Sequence, residues 1–185
     1  MKKQKGITLI DLLMGLGIAS ILLGAGIPAF NELIERKQIV AEVQELRAVL
    51  QYGRTQAVEQ RKNITLCPSS DGQNCNSDWS NGYILFVDQN GDRTLSSPDE
   101  LLRYEQIKEE SITLRWRAFG VRSSLQWTAS GITNHQNGLF EFCFKDRPKL
   151  ARALIISKSG RIRHSEDSNG NEIHEDSTDE DISCN

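Results

Sequence analysis

The residues best suited to chemistry are Gly160-Arg161-Ile162-Arg163, near the C-terminal end of the chain. In an extended segment alternate side chains share a face, so Arg161 and Arg163 point one way and Ile162 the other. Two guanidinium groups about 6.5–7 Å apart match the spacing of successive phosphates along one nucleic-acid strand. Gly160 gives the backbone freedom to turn tightly just before them. Lys158, Arg152, Lys149, Arg147 and Lys145 lie close in sequence and extend the basic stretch. Residues 103–163 carry twelve Lys and Arg against five Asp and Glu, a local balance of +7, in a chain of net charge −3. Beyond Arg163 the sign reverses. Glu166, Asp167, Glu172, Glu175, Asp176, Asp179, Glu180 and Asp181 follow with no Lys or Arg among them. The asymmetry predicts a basic face and an acidic tail. The competing reading is a solvated hairpin whose arginines pair with that tail or with neighbouring molecules.

Other constellations are weaker. Asp88-Gln-Asn90-Gly-Asp92 looks like half of a calcium loop, but such a loop wants Gly where Arg93 stands and Glu where Asp99 stands. Asn90-Gly91 is a good hairpin turn in its own right, and the turn is the preferred reading. His135, His164 and His174 are expected in polar loops or the tail, and no Ser-His-Asp, Cys-His or paired-carboxylate arrangement is readable. No catalytic residue, cofactor or metal is therefore predicted. Cys67, Cys75, Cys143 and Cys184 suit an oxidising compartment, and three pairings are possible. A Cys67–Cys75 bond would close a short loop, and a Cys143–Cys184 bond would tie the tail to the domain. No close Cys or His pair has zinc-ligand spacing.

The elements that must position these residues can be read from periodicity. Ile39, Val43, Leu46, Leu50 and Ala57 recur at three- to four-residue spacing with polar residues between, which predicts an amphipathic helix from residue 31 to about 61. Gly53 is its weak point, since glycine inside a helix costs up to about 1 kcal/mol. Strand signals follow at Ile64–Cys67, Tyr83–Val87, Ile112–Trp116, Ser124–Trp127, Leu139–Phe144, Ala153–Ser157 and Arg161–His164, separated by Ser130-Gly131, Asn137-Gly138 and Ser159-Gly160 turns. Trp79, Tyr83 and Phe86 are expected in the core. The organisation predicted is a leader at 1–6, an apolar helix at 7–30, the amphipathic half at 31–61, a β domain at 62–164 and a tail at 165–185. The tail is polar enough to be expected disordered apart from a tether at Cys184.

The N-terminus adds a second kind of information. Lys2, Lys3 and Lys5 precede Gly6, and an almost unbroken apolar run extends from Ile7 to Phe30. The run exceeds the roughly 20 residues a helix needs to cross a bilayer, with its basic flank on the cytoplasmic side. The plausible cut, Gly6 before Ile7, lies ahead of the run, so processing would retain the apolar helix. Asp11, an acid inside it, requires a counter-charge. The α-amine of Ile7, its own or a neighbouring subunit's, would supply one. Together the two apolar and amphipathic halves predict a helix of roughly 55 residues and about 80 Å.

Lys5-Gly-Ile-Thr-Leu-Ile-Asp11-Leu-Leu13 resembles the class III signal of type IV pilins and type II secretion pseudopilins. Ile7 stands where that family usually has Phe and Asp11 where it has Glu, and Pro28 falls where many pilins place a helix-kinking proline. Arg54-Thr-Gln-Ala57, Ile64-Thr-Leu-Cys-Pro-Ser69, Asp71-Gly72, Cys75, Trp79, Gly82-Tyr-Ile-Leu-Phe-Val-Asp88 and Asn90-Gly91 resemble the GspH/FimT-type minor pilins and pseudopilins. The resemblance is good over residues 5–104, thins, and returns at Ser159-Gly-Arg-Ile-Arg163. It implies an α+β, type IV pilin-like fold, a long N-terminal helix packed on a small antiparallel β-sheet domain. It also implies cleavage and N-methylation by a prepilin peptidase, an inner-membrane precursor, other pilins as partners, and a pilus on the cell surface. In the FimT branch the Gly-Arg-x-Arg pattern is associated with DNA binding in natural transformation. A structural subunit priming pilus assembly and a type II secretion pseudopilin are the alternatives.

Overall fold

The computed structural model describes residues 8–118, 120, 123–145 and 147–184, with residues 25–29 described in backbone only. Gly6 and Ile7, the predicted cleavage point, and the side chain of Pro28 lie outside the described residues. The elements run α1 (Leu9–Gln60), β1 (Asn63–Pro68), β2 (Tyr83–Asp88), β3 (Glu100–Glu105), β4 (Ile112–Ala118), β5 (Leu125–Trp127), β6 (Gly138–Phe144), β7 (Arg152–Ile156) and β8 (Ile162–His164). Two compact units are present, one ending at Lys37 and one spanning Gln38–Asn185.

In the first unit the start of α1 is closed by a reciprocal cap. Asp11 Oδ2 accepts from Thr8 N at 3.1 Å and from Thr8 Oγ1 at 2.7 Å, while Asp11 N donates to Thr8 Oγ1 at 3.3 Å. The pair works as a capping box with Asp in place of Glu. Leu9, Ile10, Leu12, Leu13, Met14, Leu16, Ile18, Ile21, Leu22 and Leu23 are all exposed. Among the described residues, no helix is long and apolar enough to cross a membrane. The predicted span includes Ile7 and the side chains at 25–29, which are not among them.

The second unit is built on the expected apolar stripe. Ile39, Val43, Leu46, Val49, Leu50 and Ala57 are buried on the part of α1 that belongs to it. They meet alternate residues of two four-stranded antiparallel sheets, ordered β3-β2-β1-β5 and β4-β6-β7-β8. Leu66, Leu85 and Trp127 line the inner face of the first sheet, and Leu114, Phe140, Phe142 and Leu154 that of the second. Gly53 is the point of closest approach: a Cβ there would lie 2.9 Å from Leu85 Cδ1 and 3.1 Å from Trp127 Cζ3. The lost helix propensity is offset by packing of the helix against the first sheet.

The outer faces of both sheets are covered as well. Cys67, Ile84 and Phe86 form a small cluster against Cys75, Leu95 and Tyr104, with Cys67 and Cys75 disulfide-bonded. Leu139, Ala151, Ala153 and Ile155 form another against Ile182 and Cys184, with Cys143 and Cys184 bonded. Burial on both faces explains why β2 reads as a continuous apolar run, and β6 as one interrupted only by Glu141, rather than alternating.

The tail departs from expectation. Residues 165–184 are ordered by anchors rather than by a core of their own. Ile182 is buried on the second sheet, Glu175 pairs with Asp181 in a short antiparallel bridge, and Ile182 N donates to His174 O at 2.9 Å. The acids are absorbed locally: the Glu175 carboxylate accepts from Ser168 N and Asn169 N, and that of Asp167 from Gly170 N and Glu172 N. Composition alone counts these groups as solvated charges, whereas each satisfies backbone donors in a turn. His164 is likewise not in a loop but in β8, and His174 is half-buried in the folded tail.

Candidate nucleic-acid interface

The β7–β8 connection is a tight hairpin. Gly160 N donates to Ser157 O at 2.9 Å and Ser157 N to Arg161 O at 3.0 Å, and Gly160 sits at φ +75°. A type I turn followed by a left-handed glycine is a standard three-residue hairpin loop. The glycine is required twice over, because a Cβ on Gly160 would come within 2.3 Å of Gly131 O. Beyond the turn Ile156 pairs with Ile162 and Ile155 with Arg163. Ile162 packs against the main core, while Arg161, Arg163 and Lys158 are exposed. None of these three side chains makes a hydrogen bond or ion pair among the described residues.

The other basic residues singled out from the sequence are placed elsewhere. β7 begins at Arg152, so Lys145 and Lys149 lie in the β6–β7 connection and Lys158 in the connection at the opposite end. At ~3.3 Å per residue the two ends are about 20 Å apart. Lys149 is ion-paired with Glu172 of the tail. Arg152 donates to Lys149 O at 3.1 Å and Ala151 O at 2.7 Å. Lys145 is exposed beside the Cys143–Cys184 bond, next to Arg115 and Glu110. Nearness in sequence did not survive folding, because one strand of β structure separates the two groups.

The tail borders the cluster on one side. Arg163 and Lys158 share a hollow of about 320 Å³ with Ile155 and with Ser177 of the tail. Nearby, Arg117 joins the buried Glu141 at 3.1 Å and Asp176 of the tail at 2.9 Å. Burial pushes the Glu141 carboxyl up, against the pull of the Arg117 and Arg115 charges. On the other side Arg161 and Gly160 line a hollow of about 470 Å³ with Gln51, Arg54 and Thr55 of α1.

Two helix arginines were not singled out from the sequence as site residues. Arg47 Nη1 approaches His164 Nε2 at 2.6 Å, and Arg54 bonds to both turns at the glycine contact. Arg47, Gln51 and Arg54 stand at i, i+4 and i+7, so one face of the helix carries all three, and that spacing was the available signal. With the guanidinium donating, His164 accepts as a neutral ring. Burial, and then the Arg47 charge, lowers the pKa of His164. The unfolded chain therefore binds more protons than the folded one in a window just below the ordinary imidazole value of about 6.5, and stability is lost as pH falls through it. His164→Asn is expected to blunt this loss in denaturation curves recorded on both sides of that value. An unaltered pH dependence would show that His164 does not contribute.

Asn90-Gly91 is not a two-residue hairpin turn: β2 and β3 are joined by the longer connection 89–99, which bends around Asp88. Asp88 is fully buried, and its carboxylate accepts from Thr65 Oγ1 at 2.8 Å, Gln126 Nε2 at 2.6 Å, Gly91 N at 2.7 Å and Arg93 N at 3.0 Å. Asp92 and Asp99 each bring a carboxylate oxygen within 4.8 Å of it. Two of those donors bind the connection to β1 and β5 and two close it on itself, which is sufficient reason for the buried acid.

The profile of the family described as type II transport protein GspH matches residues 42–160. The chain belongs to this family. This places it among the GspH/FimT-type minor pilins and pseudopilins. The match ends at Gly160, so Arg161, Arg163 and the tail lie beyond it. The pilin-like protein PilA1 of Thermus thermophilus is 29% identical over 97 residues, covering 52% of this chain. This chain spans little more than half of that relative's length, 56%. The crystal structure of the type IV minor pilin FimU of Pseudomonas aeruginosa is similar at a TM-score of 0.57 and 28% identity, covering 71% of this chain and 91% of FimU. The minor pseudopilin EpsH from the type 2 secretion system of Vibrio cholerae, at 10% identity and a TM-score of 0.51, covers 69% of this chain and 95% of its own. It shares the fold, which is the α+β, type IV pilin-like architecture expected.

Proposed function

We propose that this GspH-family protein is a minor type IV pilin of the FimT type that binds extracellular double-stranded DNA, without sequence preference, for uptake in natural transformation. The observation that carries the reading is the placement of Arg161, Arg163 and Lys158 on one hairpin, exposed and without a counter-ion among the described residues. Cations so arranged can neutralise phosphates, and phosphate contacts carry no base information. The full chain, held in non-ionic detergent, is expected to bind a short duplex of arbitrary sequence with a log–log salt slope of roughly −2 to −3, from two or three neutralised phosphates. Absence of binding at low salt would remove DNA from the account and leave an assembly subunit.

The setting we propose is the one the N-terminal residues fit. A prepilin peptidase cuts after Gly6, the precursor sits in the inner membrane through residues 7–30, and the mature helix joins other pilins in the pilus. The exposed apolar residues from Leu9 to Leu23 support this reading, since so large an unpartnered patch marks an association surface. Asp11 would exchange its Thr8 contacts for the amine of Ile7 or of a neighbour during assembly. The 28% identity to the minor pilin FimU supports the pilus setting.

A further inference from the structure

Arg54 of α1 is an exposed residue whose guanidinium lies against the basic hairpin. Its Nε donates to Gly131 O at 3.0 Å and its Nη2 to Ser159 O at 3.2 Å, so one guanidinium spans the two turns. Gly131 O is also the atom that a Cβ on Gly160 would strike, and Arg54 Nε would lie 3.0 Å from that Cβ. Gly131 itself sits at φ +75°, where a Cβ would meet Val58 Cγ2 of α1 at 2.8 Å. Two left-handed glycines thus bring two turns into backbone contact beside the helix, and the Arg54 fork ties both to it. A lysine ammonium lacks the planar fork that reaches two carbonyls at once.

We propose that Arg54 is a positioning residue for phosphate binding: it fixes the Ser157–Arg161 turn against α1 so that Arg161 is presented in one orientation. The inference rests on the DNA reading of the same hairpin. Fixing the turn that carries Arg161 before binding removes an ordering cost otherwise met on association. The gain belongs to affinity and not to the number of phosphates neutralised.

The test uses the full chain in detergent, a labelled duplex across a salt series, and amide hydrogen exchange without DNA. Arg54→Met and Arg54→Lys are both expected to weaken binding by about three- to tenfold with an unchanged salt slope. Both are expected to speed exchange at the Gly160 amide, while core amides stay protected. Full affinity in Arg54→Lys, with a slope reduced by about one in Arg54→Met, would make Arg54 a phosphate contact and overturn the proposal. Unchanged Gly160 exchange in both variants would overturn it as well, whatever DNA does. If wild-type protein binds no duplex, the DNA reading fails, and the exchange measurement still reports whether Arg54 holds the turn.

Discussion

Replacing Cys143 and Cys184 together with serine is expected to lower the unfolding free energy by about 4 kcal/mol. The bond closes a loop of 41 residues in sequence separation, and chain-entropy arguments assign a constraint of that length about this value. Cys67–Cys75 closes only 8, for which the same relation gives about 2.5 kcal/mol. The larger figure has a visible counterpart in the fold. With the bond gone, the tail keeps one buried apolar side chain, Ile182, the Glu175–Asp181 bridge, and ion pairs of Glu172 and Asp176 with Lys149 and Arg117. Partly exposed ion pairs contribute little. Limited proteolysis is therefore expected to remove the tail of the double-serine variant while leaving the β domain intact. Coincident denaturation midpoints for variant and wild type would mean that the tail holds without its staple.

Gly160→Ala is expected to cost about 1–3 kcal/mol through backbone strain, and to weaken duplex binding although every charge is retained. The substitution places a methyl group 2.3 Å from Gly131 O at a φ of +75°, so the turn must open or the two loops must separate. Either movement displaces Arg161, whose carbonyl closes the same turn. Gly170→Ala supplies the control. Gly170 has φ +80° but open space around its Cβ position, so only the left-handed term of about 1–2 kcal/mol applies. If the two alanine variants lose equal stability and bind DNA equally, the close approach at Gly160 has no energetic content.

The long helix was legible because Ile39, Val43, Leu46, Leu50 and Ala57 keep one period across several turns, and a helix pattern of that length has few rivals. The inner strands were legible because β-branched and aromatic runs ended at glycine turns. β3 was not. Glu100–Glu105 is a largely exposed edge strand carrying Glu, Arg and Glu, the composition by which sheets guard an open edge. Its residues therefore look like loop. The tail reads as disordered for a related reason, since its acids accept from neighbouring backbone donors that composition does not register. Gly53 looks like a flaw in the helix pattern because the first sheet that packs against it is distant in sequence. The basic hairpin was legible from Gly160, Arg161 and Arg163, because their alternation is local. Lys145 and Lys149 lie near it in sequence, but strand β7 carries that distance to the opposite end of the sheet.

The measurement that bears most directly on the account is duplex binding by Arg161→Gln/Arg163→Gln beside wild type, over a salt series, with the full chain in the same detergent. Both arginines are exposed, so stability should stay within about 0.5 kcal/mol. The account predicts a marked loss of affinity and a log–log salt slope flattened by about two, one for each phosphate no longer neutralised. A double variant that binds with the wild-type affinity and slope would contradict it.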